Sequence, residues 1–545
     1  MNRGDADTES DAGQLFVSIR DWFSKKTPTA FAINNRHRFF VANGGCIGIE
    51  PSPSGDFEKG MLEGATPECR SPLQLVTYQS VQDQLLAECL FDLGADKSMA
   101  WVKNSGDALG HVYGQHENYE LEIARGWRLF AWRIGLVFLL PLLILYRAFA
   151  WMWLSLVAIL DRCSRRLHQK QASPEQAIDD IDKPPVTRST FLSAKWVCVA
   201  AAGLRYLHWP IAIAMHGLVL AFVLVPHRRW MAGFFASRSV MDGSGHLDRQ
   251  GRFWLSARAA STTSYIGLGR YWNERPIFGT GHWLRSVLVC KSPTFDAWRS
   301  LFSARQRVQI AVGDSTPNLR AQFLRVGATC LVFDLIESRL TEGLPKFAGC
   351  IEAMHALTTD RSMMRTITDR QGKNWNAIEL QRHYASAVRH FLTLSPHQSI
   401  EAWEIVDQWQ TTLDNLQESE HDVDCQRWLL GRVDWVSKRW LMDQTGSQDS
   451  WAAQKKIDIK YHELSHQGYY HMLVQSLELS PFISSDELKR SVRLPPLDTP
   501  AMKRGYWIRE FACEHTNLEV DWQQIRWIDE RGKVKLVDIG LKVER

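Results

Sequence analysis

Two stretches of the chain are almost free of charge, while the rest alternates apolar and polar positions as water-exposed elements do. From Ile134 to Leu160 the only charged residue is Arg147, and from Tyr206 to Val225 there is none. The second stretch reaches the ~20 residues that cross a bilayer core, although Pro210 and two histidines interrupt it. The first is a pair of apolar runs on either side of Arg147. A lone Arg at a helix centre costs about 2.5–3.5 kcal/mol on insertion scales, which the apolar neighbours offset. Trp127, Trp132, Trp151, Trp153, Trp196, Trp209 and Trp230 stand in or beside these runs, where interfacial anchors are found. A pair of buried core helices fits the same pattern. Between the runs, residues 161–190 are polar, charged and proline-containing, the composition of an exposed connection. Basic clusters flank both runs (Arg125, Arg128 and Arg133; Arg162, Arg165 and Arg166; Arg228 and Arg229), so the positive-inside rule assigns no orientation.

Elsewhere the periodicities are those of an α+β protein. Segment 322–340 carries Phe323, Val326, Leu331, Phe333 and Leu335 at helical spacing, with Ser315-Thr316-Pro317 ahead of it as a helix start. Residues 11–26, 377–391 and 401–416 also read as helices, and 502–545 alternates as strands do, most clearly over Val534–Val543. The 545 residues contain no internal repeat. Lys and Arg number 64 against 60 Asp and Glu, a balance of +4 that leaves no nucleic-acid footprint. Ten scattered Cys without a C-x-x-C indicate a reducing compartment and exclude a disulfide scaffold or zinc ribbon. The opening residues MNRGDADTESDAG show no apolar run of the kind a secretory signal requires.

No P-loop, no G-x-G-x-x-G after a strand and no G-x-S-x-G is present. His462-Glu463-Leu464-Ser465-His466 is an H-E-x-x-H, which on a helix would set His462 and His466 on one face for zinc with Glu463 as base. Gly468 and His471 fall one residue short of a longer zinc-protease spacing, and Glu478 is an undecided third ligand. A second constellation is longer: Asn43-Gly44-Gly45-Cys46-Ile47-Gly48-Ile49-Glu50, Leu62 to Cys69, Lys103-Asn104-Ser105-Gly106-Asp107, and Tyr113 to Tyr119. Carboxylates and a His on strand-like segments are suited to Mg²⁺ with a bound phosphate. Solvated strand ends and turns fit the same residues equally well.

These residues, in this order, resemble the Pup ligase and Pup deamidase/depupylase family, the proteasome accessory factor A group. The resemblance continues through Val312-Gly313-Asp314-Ser315, Arg325 to Thr329, Leu335 to Ser338, Glu379 to Tyr384, Val433 to Arg439, and Pro495-Pro496 with Arg504-Gly505. It covers roughly 43–133 and 250–530. It implies an α+β fold, a glutamine-synthetase-like antiparallel sheet with helices, here interrupted by a helical hairpin insert and followed by a small C-terminal domain. The expected divisions are 1–133 and 231–470 for the two catalytic halves, 134–230 for the insert and 471–545 for the last domain.

The same resemblance implies ATP and Mg²⁺ chemistry on the C-terminal Glu or Gln of a small ubiquitin-like protein modifier, by ligation to a Lys of target proteins or by hydrolysis, linked to proteasomal degradation. Glu50 stands at the position of a family Asp acting as base or nucleophile. Glu63 and His116 stand at metal-ligand positions, Glu68, Glu117 and Asn118 at cofactor-binding positions, and Arg307 where an Arg faces phosphate. Asp458 to Leu464 resembles a family segment that holds no metal, which argues against zinc. The chain departs from the family at Gly48, where the family has Tyr, and lacks a G-x-E-x-E Mg²⁺-binding strand before Asn43, which the resemblance would place upstream of Met1. A catalytically impaired, membrane-associated scaffold is the alternative. Because both catalytic halves must share one site, the insert crosses a bilayer an even number of times or lies at its surface. The expectation is a cytoplasmic catalytic domain with a membrane-associated insert.

Overall fold

The computed structural model describes residues 12–50, 60–94, 99–171, 194–288, 296–395, 399–445, 450–512 and 517–539. In chain order the strands are β1 (Thr29–Ala32), β2 (Asn35–Val41), β3 (Cys46–Glu50), β4 (Met61–Ala65), β5 (Gln115–Glu122), β6 (His246–Leu247), β7 (Phe253–Trp254), β8 (Ser264–Gly267), β9 (Pro276–Gly279), β10 (Arg305–Gly313), β11 (Ile367–Thr368), β12 (Asn374–Trp375), β13 (Glu519–Val520), β14 (Gln524–Ile528) and β15 (Val534–Asp538). Seven form one sheet in the order β15-β14-β13-β1-β2-β3-β4, and four form a second in the order β5-β10-β9-β8. The α+β architecture expected from the sequence is therefore present. One pair in each sheet, β1 with β13 and β8 with β9, runs parallel. Neither pair is joined by a tight turn, so no hairpin forces the antiparallel direction.

The alternation of β2 and β3 explains the first sheet. Phe39, Val41, Ile47 and Ile49 pack against Phe16, Ile19 and Phe23 of α1 (Ala12–Lys26) and Val81, Leu85 and Cys89 of α2 (Pro72–Asp92). Phe40, Ala42 and Cys46 point the other way and pack with Ile508, Val520 and Ile525. Strands 519–538, beyond the expected boundary at 471, thus complete the sheet that residues 29–65 begin. Ser71 caps α2 by accepting from the Gln74 amide, and Pro72 stands where its missing N–H is not needed.

The predicted helix near 322–340 spans Leu319–Glu337. Its cap is Asn318, whose side chain accepts from the amides of Arg320 and Ala321, rather than the hydroxyl residues before it. The expected helices at 377–391 and 401–416 span Ala377–Leu394 and Ile400–Glu418. Within the stretch read as strands, Pro500–Phe511 is a helix, and the strands begin at Glu519.

The two apolar stretches form an arm. α3 (Gly126–Gln171) is 46 residues long, roughly 70 Å at 1.5 Å per residue. α4 (Ala194–Leu207) and α5 (Trp209–Phe222) run back along it, bent by 44° where they meet. Near the body, Trp132, Leu136, Leu139 and Leu143 of α3 and Ile211, Met215 and Val219 of α5 are buried in the main core. Beyond Arg147 the helices touch mainly each other. Gly203 lets Trp153 lie against α4, where its indole donates to the Ala200 carbonyl at 3.2 Å. A hydrogen bond of 2.9 Å from the Leu224 amide to the Ile123 carbonyl closes the base of the arm. The expected exposed connection at 161–190 is helical as far as Gln171, and 172–190 lie outside the described residues.

Candidate active site

Register assembles the first polar surface. Arg38 pairs with Gly48 across β2 and β3, Gly48 with Glu63 across β3 and β4, and Glu50 with Met61. Directly opposed residues share a face, and so do residues two apart. Arg38, Gly48, Glu50 and Glu63 therefore stand on one side of the sheet, opposite α1 and α2. Further along that side, Phe40 and Cys46 lie beneath the helix Pro500–Phe511. Glu50 is partly buried at the end of β3. Arg38 forms an ion pair with Glu63, both side chains being about two-fifths exposed (37% and 42%).

The Asn43–Cys46 motif serves as the turn into this surface. Gly44 has φ +86°, and a Cβ there would lie 2.8 Å from the Ala501 Cβ, so a side chain would be excluded on both counts. Asn43 Oδ1 accepts from the Gly45 amide at 2.9 Å. Fully buried Arg504 donates to the Gly44 carbonyl and, through both Nη atoms, to the Glu68 carboxylate at 3.2 and 2.5 Å. Glu68, expected to bind cofactor, thus has its carboxylate engaged in holding the turn.

The second polar surface is on β5 and β10. His116 and Asn118 point to one side of β5 and Glu117 to the other. Arg307 donates from Nε to Asn118 Oδ1 at 2.8 Å, and Gln309 Nε2 lies 3.2 Å from His116 Nδ1. His282, which sequence reasoning missed, places Nε2 2.8 Å from the Arg307 carbonyl oxygen. A carbonyl only accepts, so Nε2 carries the hydrogen. Burial, with Arg307 adding to it, pushes His282 down to about 4, so the ring is neutral at pH 7. Only the geometry reveals it, because a single His in the first turn of a short helix (Gly281–Leu288) has no sequence signature.

Glu117 faces the core. Burial alone would raise its pKa, but the guanidinium groups of Arg238 and Arg325 outweigh that and hold it below the usual carboxylate range. Behind the sheet, the Lys103–Asp107 and Val312–Ser315 motifs meet: the Ser315 amide donates to Ser105 Oγ at 2.9 Å, and Ser244 donates to Asp314. These motifs hold the scaffold together.

The zinc reading of H-E-x-x-H has no geometric basis. The helix Trp451–Lys460 ends before His462, which is buried while His466 is exposed. Its neighbours explain the segment otherwise. Asp458 accepts from Lys438 at 2.5 Å and Lys455 at 2.7 Å, and Tyr461 donates to Asp434 at 2.7 Å. The magnesium expectation meets a related difficulty. Mg²⁺ takes hard oxygen ligands in near-octahedral geometry. Glu63 is engaged by Arg38, and His116 belongs to the other sheet. Among the described residues no three His, Cys, Asp or Glu side chains form a metal-holding group. The residues present do not fit a preformed divalent site.

Comparison with known proteins bears on the whole of this scaffold. The family model described as Pup-ligase protein matches residues 7–526. The chain belongs to the Pup-ligase family. A Pup–protein ligase of Acidimicrobium ferrooxidans is 25% identical over 58% of this chain and 66% of its own length. A Pup deamidase/depupylase of Mycobacterium tuberculosis is 28% identical over 52% of this chain and 54% of its own. The chain thus spans between about half and two thirds of the length of these curated relatives. Among solved structures, the complex between the prokaryotic ubiquitin-like protein Pup and its ligase PafA superposes with TM-score 0.61 at 16% identity, covering 98% of this chain and 86% of that one. The Pup ligase PafA in complex with ADP gives 0.60 at 17%, covering 99% and 92%. The fold is that of the Pup ligases, and the arm lies within the residues that the family model matches.

Proposed function

We propose that the chain is a nucleotide-dependent enzyme of the pupylation type, acting on the C-terminal Glu or Gln of Pup or a Pup-like modifier. In the ligase direction ATP activates the γ-carboxylate, and a Lys amine of a target protein displaces phosphate. In the hydrolase direction water cleaves the amide or isopeptide bond. Glu50 is the general base in either direction, and Arg307, whose Nε donates to Asn118, meets phosphate oxygens through its planar donors. The observation that carries this reading is the face shared by Glu50, Glu63 and Arg38, on which the Arg38 and Glu63 side chains are partly exposed. Relatives that are ligases and depupylases, and a similar ligase solved in complex with ADP, support it. ATP places this chemistry in the cytoplasm.

The test is binding of a fluorescent ATP analogue by the purified full chain. Micromolar binding that weakens tenfold to a hundredfold in Arg307→Ala, the range for a charge-assisted contact of ~1.5–3 kcal/mol, supports the reading. No binding at millimolar nucleotide favours the second reading, a catalytically impaired relative that binds a modifier. The ion pair of Glu63 with Arg38 is the observation that favours that second reading.

The arm is proposed to lie against an anionic bilayer. In support, only 22% of the most apolar stretch of α3 is buried. Phe138, Ile144, Trp151, Ile159 and Tyr206 are each more than half exposed. The segment beyond Arg147 is roughly 20 Å long before Arg162, enough for one leaflet and short of a ~30 Å core.

A further inference from the structure

The Arg38 side chain lies across Gly48 to reach Glu63. A Cβ built on Gly48 would come 2.4 Å from Arg38 Cγ and 3.1 Å from its Nε. The stem of Arg38 therefore occupies the volume any side chain at 48 would take. Three strands are in register at this point, so the guanidinium of β2 is delivered to the carboxylate of β4 over a gap in β3. The resulting pair shares its face with Glu50, and no third acidic or imidazole ligand joins Glu63 there to make a metal group among the described residues.

We propose that Arg38 is the resident cation of this surface, standing at Glu63 in place of a divalent metal ion, and that Gly48 is the residue that makes room for it. The inference rests on the reading of this face as the chemical site. An Arg guanidinium is protonated at every physiological pH and is not removed by chelators. It offers five N–H donors, of which those not used by Glu63 remain for a phosphate or carboxylate oxygen of a bound substrate. Arg38 is thus a specificity-determining residue: it selects anionic substrate groups directly and disfavours a metal at Glu63 by like-charge repulsion. A unit charge about 4 Å from a divalent ion in near-bulk dielectric changes affinity by on the order of thirtyfold.

The experiment is Mn²⁺ titration of the full chain, free Mn²⁺ being read by electron paramagnetic resonance, with Glu63→Gln, Arg38→Gln, Gly48→Ala and the double variant Arg38→Gln/Glu63→Gln. The expected result is that Glu63→Gln, which leaves Arg38 without its carboxylate, binds Mn²⁺ no more tightly than wild type. Arg38→Gln should bind about thirtyfold more tightly, and the double variant should return to the wild-type value. Gly48→Ala, which displaces Arg38 without removing it, should shift in the same direction by less, and it keeps the test open if Arg38→Gln misfolds. Unchanged Mn²⁺ affinity in both Arg38→Gln and Gly48→Ala overturns the proposal. An Arg38→Gln/Glu63→Gln double variant that binds Mn²⁺ as tightly as Arg38→Gln also overturns it, because the metal would then not sit at Glu63. The nucleotide titration without added metal reports separately on the functional reading, so its failure and that of the Arg38 proposal are distinguishable.

Discussion

The carboxylate of Glu117 takes both terminal guanidinium nitrogens of Arg238, at 3.0 and 3.2 Å, behind the second sheet rather than on its polar surface. Arg325 Nε lies 3.4 Å from the same carboxylate and the Tyr119 hydroxyl donates to it at 2.6 Å. Removing one partner of a buried pair leaves a charge without compensation, which costs about 3–5 kcal/mol. Glu117→Ala should lower stability by that amount in urea unfolding. Its depressed pKa makes this stability present above the unfolded carboxylate value and lost as pH falls through the folded one. A Glu117→Ala variant of wild-type stability that has lost nucleotide binding would instead make Glu117 a cofactor contact.

His227 gives a second pH dependence. Burial pushes it down to about 4, and neither ring nitrogen has a hydrogen-bond partner among the described residues. The depressed value means that its contribution is present above the unfolded pKa and is lost as pH falls from about 6.5 towards 4. The loss reaches roughly 3 kcal/mol at the acid end. In His227→Phe, which keeps a ring against Phe333, chemical denaturation from pH 7 to 4.5 should show a flatter stability profile than wild type. Parallel profiles would refute this assignment.

Glu50→Gln removes the base while keeping the shape. Modifier conjugation or cleavage, followed on gels, should fall at least a hundredfold, the usual contribution of general base catalysis. Binding of the ATP analogue should stay within about twofold, since no phosphate contact is removed. Equal turnover in the variant and wild type would exclude Glu50 as base.

The arm predicts partition onto lipid. Flotation with vesicles of mixed anionic and neutral lipid should carry the full chain upward, and Trp151→Glu combined with Ile159→Glu should reduce the floated fraction several-fold, the cost of placing charge in hydrocarbon being about 2.5–3.5 kcal/mol each. Recovery of the wild-type chain entirely in the lipid-free fraction would dismiss the membrane reading. Labelling of Cys163, exposed near the end of the arm, from the far side of sealed vesicles would show that the arm crosses the bilayer.

Much of the fold was legible in the chain because its signals are local. Helical spacing located Leu319–Glu337 and Ala377–Leu394 to within a few residues, and the uncharged runs marked the arm. The order of Asn43–Glu50, Leu62–Cys69 and the later motifs was enough to identify the family, because a collinear set of short motifs is far less accidental than any one of them. The single H-E-x-x-H shows the converse. Its spacing suits zinc only on a helix, and the turn after Lys460 separates the two histidines by burial.

What only the tertiary structure decided concerns which side of a strand a residue occupies and what meets it there. Glu117 and Asn118 are adjacent in sequence, yet the two-residue period of β5 sends one to two buried arginines and the other to Arg307. Glu68 belongs to Arg504, more than four hundred residues away, and Arg38 reaches Glu63 only because three strands fall into register over a glycine. Composition and spacing along the chain determine helices, turns and family. Long-range pairing determines which carboxylates remain open to a substrate, because a charge taken up by a distant partner looks the same in the sequence as one left to solvent.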